Sequence, residues 1–294
     1  MFVNRQAELQ LLEQRYTSDR AELFVLYGRR RVGKTELLAR FCRDKRHVFF
    51  VADLDVEPVL RAGLSAAVNS AILGPETAGA VYASWEDIFL LLARQAQSER
   101  LVVVLDEFTY LVAAHPPLAS ILQRLWDSHL RHSKLMLILC GSYIGMMEQA
   151  VLGYKAPLYG RRTGQYLLEP LTFHDARPFF SDYDLADQVR AYAVFGGTPA
   201  YLRLLPSARP LLSVIGEQVL TRGTFFHDEV RLLLQQELRE PRNYFAILEA
   251  IAAGRTRLNE IKQVTGLEGA TAYLKTLQDL QLVERVVPAT ERQP

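Results

Sequence analysis

The chain has 294 residues, 49% hydrophobic and 23% charged, with a formal net charge of +1. That length holds two or three packed units, and the charge balance excludes bulk electrostatic attraction to nucleic acid or acidic membranes. Only two cysteines (Cys42 and Cys140), no charged and apolar leader after Met1, and no apolar run beyond strand length predict a cytoplasmic chain with reduced core thiols and no membrane segment.

In chain order, residues 21–27 form a short apolar run that ends in glycine, which predicts a buried strand. Residues 34–43 carry Leu37, Leu38 and Phe41 at helical spacing. Residues 47–52 predict a second strand, and 55–71 a helix, followed by a Gly/Pro loop over 73–79. Ser84 and Asp87 have the spacing of a capping box that starts a helix running to about Gln97. Residues 101–105 are continuously apolar, as a parallel strand covered on both faces must be. A helix over 118–130, a strand over 135–140 and a short strand over 165–168 follow. This alternation predicts an α/β unit, a parallel sheet with helices on both faces, over 1–169.

The periodicity turns helical after Pro170, with breaks at Gly196-Gly197-Thr198-Pro199 and around 206–210, which predicts an all-helical lid over 170–239. Residues 244–253, 258–265 and 269–281 then predict three helices, closed in part by Gly254 and Gly266. Residues 282–287 alternate like a strand. The third unit, 240–294, therefore reads as a winged helix-turn-helix with a polar tail.

Gly28-Arg29-Arg30-Arg31-Val32-Gly33-Lys34-Thr35 has the spacing G-x-x-x-x-G-K-[ST], between a predicted strand and a predicted helix. A polyphosphate needs many amide donors close together. Gly28 and Gly33 let the backbone wrap it, with Arg31 and Val32 between them. Lys34 supplies a cation for the β and γ phosphates, and the Thr35 hydroxyl a ligand for Mg²⁺. Glu36 belongs to the first helical turn, whose free amides face the anion. Arg29 and Arg30 either raise the field around the phosphates or sit in a solvated loop. Asp106 and Glu107 close the apolar strand 101–105, on the carboxyl edge where open α/β sheets bind ligands. Asp106 is placed to hold Mg²⁺ and Glu107 to polarise the attacking water. Ser142, at the tip of the strand over 135–140, is either a sensor of the γ-phosphate or a plain turn serine.

The segments Phe2-Val3-Asn4-Arg5, Tyr27 to Thr35, Leu105-Asp106-Glu107-Phe108, Gly141-Ser142, Pro157 to Gly164 and Gly196 to Leu202 together resemble the archaeal-type ATPases, P-loop proteins related to AAA+ and signal-transduction ATPases. The resemblance implies that Val3 and Arg5 belong to a strip lining the adenine, and that Pro199 packs on the base and links it to the lid. It implies that Arg161 or Arg162 reaches a γ-phosphate, from within the chain or from a neighbour in a homo-oligomer. A solvated pair before a strand is the alternative. Members of the family often continue into a further domain, whereas this sequence stops at Pro294.

From Glu240 onward there are seven basic and seven acidic residues, a balance of zero. DNA affinity comes mainly from cations that displace counterions, and the last helix offers only Lys275 against Asp279. An intramolecular role is therefore expected ahead of DNA contact, although Arg255, Arg257 and Lys262 can touch phosphates. His129 and His132 lack ligand partners at metal spacing and read as a surface pair. The sequence thus predicts Mg-ATP binding and hydrolysis that drives a conformational switch, with an ATP-gated DNA-binding regulator as the alternative.

Overall fold

The computed structural model describes residues 2–206, 209–238 and 240–287, with only the backbone at positions 230, 236 and 237. The chain divides into two compact units. The first runs to Ser181 and takes in Phe195–Leu204, and the second holds Asp182–Val194 and the residues from Leu205 on.

The first unit is built on five parallel strands: β1 Glu22–Tyr27, β2 His47–Val51, β3 Leu101–Asp106, β4 Leu135–Gly141 and β5 Gly164–Leu167. Their order is β2-β3-β4-β1-β5. The register sets Glu22 beside Met136, Leu101 beside Leu135 and Phe24 beside Gly164. Alternate side chains point to opposite faces of a strand, and here both faces are filled. Leu23, Val25, Leu101, Val103, Leu105, Leu137 and Leu139 join one core. Phe24, Leu26, Val102, Val104, Met136, Ile138 and Cys140 join the other. This double burial is why β3 and β4 read as unbroken apolar runs.

The helices follow the strands. α1 (Gln6–Tyr16) and α2 (Lys34–Cys42) cover the second core, where Leu12, Leu37, Leu38 and Phe41 are buried. α3 (Glu57–Ile72), α4 (Trp85–Gln95), α5 (Phe108–Ala114) and α6 (Leu118–Ser128) cover the first. The box that starts α4 has both halves, with the Ser84 hydroxyl accepting from the Asp87 amide and the Asp87 carboxylate accepting from the Ser84 amide. The sequence reading missed α1 and α5. Leu12 is the single fully buried side chain of α1, so its apolar stripe is too thin to show as a period. α5 is too short for one.

Short helices α7 (Ile144–Met147) and α8 (Phe173–Ala176) precede α9 (Leu185–Phe195) and α10 (Pro199–Leu202). The second unit continues with α11 (Leu211–Ile215), α12 (Phe225–Glu237), α13 (Pro241–Ala252), α14 (Leu258–Thr265) and α15 (Ala270–Asp279). Leu234, Ile247, Ile261, Ala270 and Leu277 form its core. The Tyr244 and Tyr273 rings meet edge to face at 4.9 Å. The predicted wing is corrected: residues 282–287 form no strand. Among the described residues no other strand lies in this unit to pair with them, and an isolated alternating segment gains nothing from its period. The polar tail, with Glu291 and Arg292, lies outside the described residues.

Candidate functional site

β1 hands the chain to α2 through residues 28–33. Gly28 has φ +150°, and a Cβ there would lie 2.4 Å from the carbonyl oxygen of Leu168, just past β5. Glycine is therefore fixed by the neighbouring strand as well as by the turn. The Lys34 ammonium is buried and donates to the carbonyls of Gly28 (2.8 Å) and Arg29 (2.9 Å), so it gathers the loop around itself. Val32 is fully buried in the core under α2 and anchors the loop's far side.

β4 lies between β1 and β3. That order brings three strand ends together at the carboxyl edge of the sheet. Asp106 is fully buried at the end of β3. Its Oδ2 accepts from the Thr35 hydroxyl at 2.5 Å, and its Oδ1 accepts from the Glu107 amide at 2.9 Å. Glu107 has φ +52° and ψ +43°, a left-handed conformation that is costly without glycine. Its Oε1 accepts from the Ser142 hydroxyl at 2.5 Å and its Oε2 from the Ser142 amide at 3.3 Å. The structure thus brings Lys34, Thr35, Asp106, Glu107 and Ser142 into one constellation.

The oxygens of Thr35 and Asp106 suit a hard cation such as Mg²⁺, which takes one or two protein ligands and completes its shell with water and phosphate. Their direct contact fits that role. Among the described residues no cluster of three or more His, Cys, Asp or Glu side chains can hold a metal by itself. His129 bonds to Ser128 and His132 to Arg131, as exposed residues. Cys140 lies beside Asp106. Burial first, then the Asp106 charge, push its thiol well above the ordinary value, and burial pushes Cys42 up to about 12. Both are inert apolar fillers at neutral pH.

A second cluster forms a narrow cleft against the loop. Val3, Arg5, Val32, Gly33, Glu36 and Pro199 line it, joined by Phe2, Leu171, Phe179 and Arg203. Phe2, Val3, Arg5 and Pro199, which the family resemblance associates with the adenine, line it, whereas Asn4 of the same strip is not among the lining residues. Arg5 pins the N-terminal strip in place: its guanidinium donates to the carbonyls of Val32 (3.2 Å) and Glu169 (2.7 Å) and pairs with Glu8 at 2.8 Å. The Asn4 side-chain Nδ2 donates to the Asp175 carbonyl at 3.0 Å. Gly197 is required by contact: its carbonyl accepts from the Leu171 amide at 2.7 Å, and a Cβ would lie 1.8 Å from the Leu171 oxygen. Leu171, Phe179 and Arg203 escaped the sequence reading because they come together only in three dimensions.

Five non-glycine residues among those described have positive φ, and four of them, Asn4, Arg5, Arg31 and Glu107, belong to these segments. Backbone strain concentrates where function overrides local preference. Arg161 and Arg162 are held elsewhere. Arg161 pairs with Asp127 at 2.8 Å, and Arg162 donates to the carbonyls of Val151 (3.2 Å) and Leu152 (2.8 Å). The structure gives neither a bond to residues 28–35. Arg30 is instead the loop arginine with neighbours beside Glu107 and Ser142, the hydroxyls of Tyr110 at 2.5 Å and Tyr143 at 2.6 Å.

A parallel sheet whose first strand feeds a G-x-x-x-x-G-K-T loop, with a buried Asp closing a strand two places away and a half-buried Glu directly after it, defines the class of P-loop nucleoside triphosphatases. Residues 2–205 match the family described as the ATPase domain predominantly from Archaea, and the chain belongs to that family. An uncharacterized protein of Methanocaldococcus jannaschii is 34% identical over 293 residues, which cover 99% of this chain and 64% of the relative. The chain thus spans under two thirds of that relative's length. An uncharacterized ATP-binding protein of the same organism is 52% identical over 46 residues, 16% of this chain and 78% of the relative. Among solved structures, a Walker-type ATPase of Pyrococcus abyssi superposes with a TM-score of 0.66 at 22% identity, covering 95% of this chain and 90% of that one. The ORC2 protein of Aeropyrum pernix, in ADPNP and ADP complexes, gives 0.60 at 16% identity over 97% and 88%. These two likenesses are of fold. Family membership supports ATP binding and hydrolysis in general. Among the described residues no helix is long and apolar enough to cross a membrane.

Proposed function

We propose that the chain binds Mg-ATP between the P-loop and the Val3–Arg5–Pro199 cleft, hydrolyses it, and uses the cycle as a conformational switch. The observation that carries the reading is the paired contact Thr35–Asp106 and Glu107–Ser142, within one constellation beside a lysine-gathered loop. In the mechanism, loop amides and the Lys34 ammonium hold the β and γ phosphates. Thr35 and Asp106 would hold Mg²⁺, which neutralises charge on the phosphate oxygens as it develops. Glu107 accepts a hydrogen bond from the attacking water and takes its proton as the terminal P–O bond breaks to give ADP and phosphate. Ser142, bonded to both carboxylate oxygens of Glu107, fixes the direction of that proton transfer.

Support for a switch comes from how the chain is threaded. Pro199 and Arg203 line the base cleft in the first unit, yet the residues before Phe195 and after Leu204 belong to the second. A shift at Pro199 on nucleotide binding is passed on covalently in both directions. Arg161 and Arg162 act at the γ-phosphate of a neighbour only if Arg161 leaves Asp127. Turnover per molecule that rises with protein concentration is the signature of that action. For DNA contact, the zero balance after Glu240 predicts weak binding, and a salt titration showing a steep slope lost in Arg255/Arg257/Lys262 alanine variants would reverse that reading.

The deciding experiment is steady-state hydrolysis with Glu107→Gln beside the wild type. We expect nucleotide affinity to be kept and turnover to fall by about 10²–10⁴-fold. Equal turnover in the two removes Glu107 from the mechanism.

A further inference from the structure

Arg30 reaches out of the P-loop to two other segments at once. Its Nη2 donates to the hydroxyls of Tyr110 and Tyr143, and its guanidinium carbon lies 4.6 Å from the centre of the Tyr143 ring. The two tyrosine rings meet edge to face at 6.0 Å. All three side chains are half-buried. Two hydroxyl contacts and a ring beneath the guanidinium hold this side chain in one place, unlike a solvated loop arginine.

The positions of the tyrosines matter more than their number. Tyr143 directly follows Ser142. Tyr110 lies in the first turn of α5, and its amide donates to the Glu107 carbonyl at 2.9 Å. One side chain of the phosphate loop is therefore tied to both segments that carry the Glu107–Ser142 pair. The guanidinium suits this task because one of its nitrogens serves both hydroxyls while the flat group lies over the Tyr143 ring, whereas an ammonium is a point charge on a flexible stem.

We propose that Arg30 is a positioning residue that, through Tyr110 and Tyr143, holds Glu107 and Ser142 in register with the phosphate loop and makes their alignment depend on what the loop holds. The proposal rests on the reading of Glu107 as the group that activates water. Arg30 acts through these neighbours, so its loss affects the rate of the bound complex and leaves the grip on the phosphates to Lys34 and the loop amides.

The test uses Arg30→Lys, Tyr110→Phe, Tyr143→Phe and the double variant Arg30→Lys/Tyr143→Phe. For each, the Kd of a fluorescent ATP analogue with Mg²⁺, kcat, KM and Tm are measured. For Arg30→Lys we expect a Kd within about threefold of wild type and kcat lower by about 10–100-fold, the scale of a small misplacement of reacting groups. Each tyrosine variant loses a smaller factor, and the double variant is no slower than Arg30→Lys alone, because the groups act as one unit. Wild-type kcat in Arg30→Lys, or losses that multiply in the double variant, overturns the proposal. A purely structural role would lower Tm and leave kcat per folded molecule intact.

A second measurement does not need turnover. Amide exchange over residues 140–147 is followed with and without a non-hydrolysable ATP analogue and Mg²⁺. The analogue should protect this segment in the wild type and leave it unchanged in Arg30→Lys. Equal protection in both sinks the proposal. A wild type that binds the analogue, shows the Arg30-dependent protection and yet hydrolyses nothing defeats the ATPase reading alone.

Discussion

The two ends of the site are built in opposite ways. At the phosphate end, eight consecutive residues and two strand tips supply the contacts, and the parts meet because β1, β4 and β3 are neighbours in the sheet. At the end proposed for the base, the cleft draws on residues 2–5, 171–179 and 199–203, distant in sequence and joined by Arg5, Asn4 and the close pass of Gly197 over Leu171. The chemistry explains the contrast. A triphosphate has many charged oxygens that bind repeated amides, so a local motif suffices. A flat base offers a face and a few edge atoms, so a surface must be assembled around it.

The largest expected effect breaks the phosphate end. Lys34→Ala should weaken Mg-ATP by about 100-fold or more, since hydrogen bonds to charged groups are worth ~1.5–3 kcal/mol each and the ammonium makes several. A calorimetric titration checks it, and retention of wild-type affinity would mean that the loop does not grip phosphate. The next breaks the base end through its scaffold. Gly197→Ala places a methyl group 1.8 Å from a carbonyl oxygen. It should cost about 2–4 kcal/mol, seen as a lower urea midpoint, with loss of nucleotide affinity in the molecules that remain folded.

Arg5→Ala sharpens the comparison. It frees the strip from Val32 and Glu169 and should weaken ATP by about tenfold while weakening inorganic triphosphate less, since only the Val32 bond touches the phosphate loop. Equal weakening of both would merge the two ends into one. The smallest effect lies away from both. Glu22 is buried at the start of β1. Burial alone would raise its carboxyl, but bonds from Thr163 and Ser18, with the charges of Arg15 and Arg20, together outweigh it and hold the pKa below the ordinary value. A folded value below the unfolded one gives stability that is present above about pH 4.3 and lost as pH falls through the folded value. Glu22→Gln should flatten that acid limb in urea titrations at several pH values, with nucleotide affinity at neutral pH unchanged.

The same contrast explains what could be read in advance. The loop, Asp106, Glu107 and the doubly buried strands declare themselves through spacing and apolar runs, because the structure repeats those patterns locally. The family resemblance supplied Val3, Arg5 and Pro199, whose roles no period reveals. Leu171, Phe179 and Arg203 carry no local sign at all. The Arg30–Tyr110–Tyr143 contact was equally silent, since a loop arginine and two tyrosines have many possible partners until the sheet order is known. The wing over 282–287 was misread because alternation shows that a segment suits a strand and says nothing about whether a neighbour exists.

The place of β1 carries a consequence for synthesis. Its two partners arrive late: Glu22 waits for Met136 and Phe24 for Gly164. Contacts of such separation are slow to close. A ribosome making about 5–20 residues per second will have exposed the phosphate loop for several seconds before the flanking strands exist. On the proposed site, ATP then has no finished cradle to enter, and the nascent chain gains its ligand's stabilisation only once the segment through Arg203 has emerged.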